Sequence, residues 1–103
     1  WFYIMKKIRY NSIEKVINMI DKKDNDNIRV AIYVNEEDYL SADLQLEYED
    51  QVIIISGYRI DINLMYFWDF YDLARKKLKN ESEKITHELE KRNFIVEQVA
   101  YVS

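Results

Sequence analysis

His87 is the only imidazole in the chain. Acid–base or metal chemistry at a histidine needs a second titratable group within hydrogen-bond reach, or three ligands around one ion. Glu83 lies one helical turn before His87, so a helix there offers two ligands and no third. A solvated side chain is the expected role. Ser12, Ser41, Ser56, Ser82 and Ser103 stand in no nucleophile motif. Cysteine is absent, which removes a thiol nucleophile, a thiolate zinc site and a disulfide framework together. Asp21, Asp24 and Asp26 have the loose spacing of a calcium loop but lack its sharp-turn glycine and its distant bidentate glutamate, and an acidic turn is expected instead. One glycine and no proline leave no phosphate-cradling loop. These residues predict a protein without catalytic residues, metal or cofactor.

Two patterns of spacing remain. Between Arg29 and Arg59 there is no lysine or arginine, while Glu36, Glu37, Asp38, Asp43, Glu47, Glu49 and Asp50 all fall in that interval. Like charges on neighbouring strands repel, so crowding them does little for a folded monomer. Either the cluster keeps a strand edge soluble, or it imitates phosphate and steers a cationic partner. The predicted binding surface is Glu36, Glu37, Asp38, Tyr39, Asp43, Glu47, Glu49 and Asp50.

The second pattern is Tyr66-Phe67-Trp68-Asp69-Phe70-Tyr71, which carries more aromatic area than one helix face needs. Phe67, Trp68 and Tyr71 fit a core stripe, whereas Tyr66, Phe70 and Leu73 form a second stripe at i, i+4 and i+7. That second stripe is expected to be buried as a flank of a wide core or to meet a second copy in a homodimer. Asp69 and Asp72 would oppose phosphates there, which argues against base stacking.

The elements that position these residues follow from periodicity. Ile13, Val16, Ile17 and Ile20 repeat at helical spacing behind an Asn11/Glu14 capping box, predicting a short helix over 12–22. The apolar-free run 21–27 reads as a loop. Alternation then predicts strands over 28–34 and 39–48, the second turning Leu40, Ala42, Leu44, Leu46 and Tyr48 one way and Tyr39, Ser41, Asp43, Gln45 and Glu47 the other. A third run, 51–60, holds Val52-Ile53-Ile54-Ile55, apolar on both faces, and is expected at the centre of an antiparallel meander. From Leu64 the period becomes helical. Leu64, Phe67, Trp68, Tyr71, Ala74, Leu78, Ile85 and Leu89 share a stripe, with Arg75 and Ser82 as its polar members, predicting one long C-terminal helix over 64–92. Asn80 with Glu83 repeats the capping-box spacing, so a break near 80 is the alternative. Asn93 suits a left-handed terminus, followed by a strand over 94–102, and 1–9 is a fifth strand candidate.

The 103 residues suit one α+β domain, 1–103: an antiparallel sheet of four to five strands packed by a short and a long helix. At 49% hydrophobic and 33% charged the chain can bury a modest core. Its longest apolar runs are five residues, too short for a membrane span, and no secretory signal is visible, so a cytoplasmic location is expected. A net charge of −4 argues against direct nucleic-acid binding. The function expected from these features is non-enzymatic: an acidic inhibitor of a basic macromolecule such as a nuclease or other nucleic-acid-binding effector, in the manner of an immunity protein or a phage anti-defence inhibitor. The alternative is a homo-oligomeric structural or regulatory module using the aromatic stripe.

Overall fold

Hydrophobic alternation with short polar turns makes adjacent strands pair locally, and it does so here. The computed structural model describes residues 6–9, 13–20, 27–48 and 51–103. The elements are β1 (Lys6–Arg9), α1 (Ile13–Met19), β2 (Asn27–Glu36), β3 (Tyr39–Tyr48), β4 (Gln51–Asp61), α2 (Phe67–Lys91) and β5 (Ile95–Val102). Five strands form one sheet in the order β1-β4-β3-β2-β5. The meander β2-β3-β4 is antiparallel as expected, with Arg29 opposite Glu47 and Tyr39 opposite Asp61. The outer strands differ from expectation: β1 is parallel to β4 and β5 is parallel to β2, so the sheet is mixed. The physical reason is connectivity. A helix between two strands carries the chain back to its starting end, and the next strand therefore runs parallel to the previous one. The long helix is correspondingly internal, feeding β5, and is not a C-terminal element. Of the candidate first strand and helix, 1–5, 12, 21 and 22 lie outside the described residues, as do Asn11 of the capping box and Asp21, Asp24 and Asp26 of the acidic turn.

Both helices contribute to one hydrophobic cluster, which joins Val16, Ile17 and Ile20 of α1 to Phe70, Ala74, Leu78, Ile85 and Leu89 of α2 over the inner face of the sheet. The strand at the centre is β3, not β4: Leu40, Ala42, Leu44 and Leu46 are all fully buried. The doubly apolar run in β4 has another cause. Leu44 pairs with Ser56 and Gln45 with Ile54, so Ile55 is an extra residue, a bulge that shifts the side-chain alternation by one. Ile53 faces the core before the bulge, Ile55 at it, and Tyr58 and Ile60 after it.

Helix α2 spans 25 residues without a break, about 37 Å at 1.5 Å per residue, so the Asn80/Glu83 capping box does not form. Its dry stripe is Phe70, Ala74, Leu78, Ser82, Ile85, Thr86 and Leu89. The expected stripe is corrected at its first turn. Leu64 and Trp68 are exposed, Phe67 and Tyr71 are half-buried, Arg75 is exposed, and Phe70 occupies the core. Phe70 wins that place because its flank of the helix meets β4, where its ring lies 5.5 Å from Tyr58. Thr86 satisfies its buried hydroxyl by donating to the Ser82 carbonyl at 2.8 Å.

The helix ends in a Schellman motif: Asn93 N–H donates to the Glu90 carbonyl and Phe94 N–H to the Leu89 carbonyl, with Asn93 at φ 67°. Asparagine tolerates that left-handed conformation better than any residue with an ordinary Cβ environment except glycine. Asn93→Ala is therefore expected to lose about 1 kcal/mol in urea denaturation while Asn93→Gly retains wild-type stability. Equal stability of all three proteins would contradict the role given to this residue.

The Tyr58 hydroxyl is buried and has no hydrogen-bond partner among the described residues. Burial also raises its ionisation above the ordinary value of 10.0. A phenol whose folded pKa is raised contributes stability that is present below pH 10 and is lost as pH climbs through the folded value. Tyr58→Phe is expected to gain about 1 kcal/mol at neutral pH, because an orphaned hydroxyl is removed, and to lose less stability than wild type above pH 10. Denaturation midpoints at neutral and alkaline pH check both parts.

Candidate functional site: the helix-free sheet face

Alternation along β3 sends its polar side chains to the face opposite the helices. On β3 these are Tyr39, Ser41, Asp43, Gln45 and Glu47, as the sequence spacing predicts. The pairing register then fixes their neighbours in rows across the sheet: Glu97, Arg29, Glu47 and Val52; Val99, Ala31, Gln45 and Ile54; Tyr101, Tyr33, Asp43 and Gly57; and, nearer the hairpin end, Asn35, Ser41 and Arg59.

Glu36, Glu37 and Asp38 come together at the β2–β3 turn, all three exposed. Asp43 is half-buried on the face behind them, beside Gly57, where an added Cβ would overlap the Asp43 carboxylate and lie 3.0 Å from the Ala42 carbonyl. The only glycine in the chain thus lets a carboxylate lie flat on the strand next to the bulge. A polar hollow of about 380 Å³ results, lined by Asn35, Tyr39, Ser41, Asp43, Gly57, Tyr58 and Arg59. Above it the Arg59 guanidinium stacks on the Tyr39 ring at 4.3 Å from the centroid. Ser103 donates from its hydroxyl to the Asn35 side-chain oxygen at 3.1 Å.

Glu47 lies towards the opposite end of β3, away from the turn cluster. Arg29 reaches it at 3.4 Å and reaches Glu97 at 3.5 Å. The same guanidinium is held above its ordinary pKa by Tyr101 first and Glu97 second. Tyr33 and Tyr101 stack beside this group with centroids 4.6 Å apart, and burial, followed by Glu47, pushes the Tyr33 phenol upward. Glu49 and Asp50 lie outside the described residues.

Arg29 and Arg59, which bound the acidic interval in sequence, thus fold onto the acidic face. Pairing about Asp38 sets Arg29 against Glu47, and a tight hairpin centred there was the signal from which this could be read. At the turn, Glu36, Glu37 and Asp38 have no such cation opposite them in the strand register.

The aromatic residues separate. Tyr66 is the N-cap of α2 and 84% exposed, Phe70 is in the core, and Leu73 is half-buried, so the three do not form one surface. Leu64, Tyr66 and Trp68 are instead the large apolar side chains exposed at the start of α2. His87 is exposed on α2, and among the described residues no group of three potential metal ligands occurs. No described helix is long and apolar enough to cross a membrane. Comparison with protein-family models, curated proteins and solved structures gives no match to this chain.

Proposed function

We propose that the protein is a non-enzymatic binding protein whose acidic β2–β3 end engages a basic macromolecule, most simply the cationic groove of a nuclease or another nucleic-acid-binding effector. The observation that carries this reading is the exposed triplet Glu36-Glu37-Asp38 at one end of the sheet, backed by Asp43 and Asp61 on the helix-free face. Nucleic-acid enzymes carry positive grooves, and ordered carboxylates occupy such a groove in place of phosphates. An inhibitor of this kind would serve as the immunity partner of a toxin or as a phage anti-defence protein.

A second feature supports the same end of the molecule. Because Tyr39 pairs with Asp61, the chain leaves β4 beside the β2–β3 turn and then passes through Leu64, Tyr66 and Trp68. Exposed aromatic side chains beside a charged rim are the usual composition of an interface anchor.

Reversing the triplet (Glu36→Lys, Glu37→Lys, Asp38→Lys) is expected to slow association with a basic nucleolytic partner by about tenfold at low salt, with little change in folding stability. Wild-type association should itself slow as salt rises, since screening acts over roughly 8–10 Å at moderate ionic strength. Stopped-flow rates for both proteins at two salt concentrations test this. Equal, salt-independent rates would reduce the acidic turn to a solubility device.

A further inference from the structure

The geometry points to the outer edge of β5, which no strand among the described residues pairs, as a self-association surface, on which a second copy of this chain adds its own β5 in antiparallel fashion and makes one sheet continuous through both copies. Ser103 directs both its N–H and its carbonyl toward β2, bonding Val34 and Glu36. Backbone groups alternate sides along a strand, so the odd-numbered residues of β5 bond β2 and Val96, Gln98, Ala100 and Val102 present theirs outward. The ladder to β2 is regular over eight pairs. Apart from Glu97, β5 has nothing that protects this edge: it has no proline, lysine or bulge, and Ile95 and Val102 are 55% and 46% exposed.

The strand is self-complementary about Val99. A two-fold axis there pairs Val96 with Val102 and Gln98 with Ala100 in both directions, using all four outward residues. Glu97, the only charge in β5, then faces Tyr101 and not its own copy. Centring on Gln98 would set Val102 opposite Phe94, which precedes the strand. Both inner faces stay on one side, so each apolar alternation is preserved.

The side of α2 toward β5 borders a groove of about 460 Å³, lined by Arg75, Lys79 and Glu83 together with Gln98, Val99 and Ala100. The self-complementary register about Val99 favours a second copy over an unrelated strand.

Sedimentation of the full chain is expected to give, with rising concentration, twice the 12.6 kDa chain mass. Hydrogen exchange should slow at the amides of Val96, Gln98, Ala100 and Val102 as the dimer forms. Ala100→Pro deletes an outward N–H that β2 does not use, and should halve the mass at equal concentration. Val102→Lys is the second variant and should do the same by charging the edge. A wild type that stays monomeric, or a dimer that survives both substitutions or leaves those four amides fast, would overturn the assignment.

Discussion

The antiparallel pairing on both sides of β3 is the constraint from which the remaining architecture follows. With Leu40, Ala42, Leu44 and Leu46 fully buried, β3 must be sheltered by a strand on each flank. Antiparallel pairing with β2 and β4 supplies them, and it forces those two strands to run the same way. A strand beside either then has two options: another hairpin, or a helical return that arrives parallel. The chain takes the second option twice, through α1 and through α2. Since both helices add to one core cluster on one face, the other face carries the polar side chains of β3, the stacked Tyr33 and Tyr101, and an apolar row of Val99, Ala31 and Ile54.

That asymmetry places the candidate site. β3 alone runs opposite to the other four strands, so the carboxyl ends of β2, β4 and β5 collect at one end of the sheet. Glu36, Asp61 and Ser103 all fall there, with the exposed start of α2 close behind in sequence. The acidic turn and the apolar residues Leu64, Tyr66 and Trp68 share an end of the molecule because of strand direction, although nothing in their spacing along the chain relates them. The arginines have the opposite effect. Arg29 joins Glu47 and Glu97, whereas no arginine faces Glu36, Glu37 or Asp38 of the turn in the strand register.

What was legible in the sequence is what depends on short-range periodicity. The alternation in 39–48 specified both faces of β3 correctly, and Asn93 marked the helix end. Strand order was not legible, because the partners of β1 and β5 are chosen by which way a helix turns the chain, and periodicity carries no record of it. The bulge at Ile55 was misread for a related reason. A shift in alternation and a strand buried on both faces produce the same apolar run, and only the pairing partner tells them apart. The start of α2 was only partly legible. Phe70 is buried, as a flank of a wide core requires. Leu64 and Trp68, which an ideal helix plot puts in the core stripe, are exposed, because the first turns pack through Phe70 on Tyr58.

The parallel pairing of β5 with β2 also sets an order in which the structure can be assembled. The meander closes over short loops, but the β2–β5 ladder joins residues 68 positions apart, such as Asn35 and Ser103. Closing so long a segment is entropically costly before α2 has condensed onto the sheet. Until then β2 is itself a border, with Val30, Ile32 and Val34 facing a half-built core, and it competes for any strand within reach. A nascent chain paused at this stage has the side chains of the native protein but a different outermost strand, and its earliest misfolded products should be held together through β2.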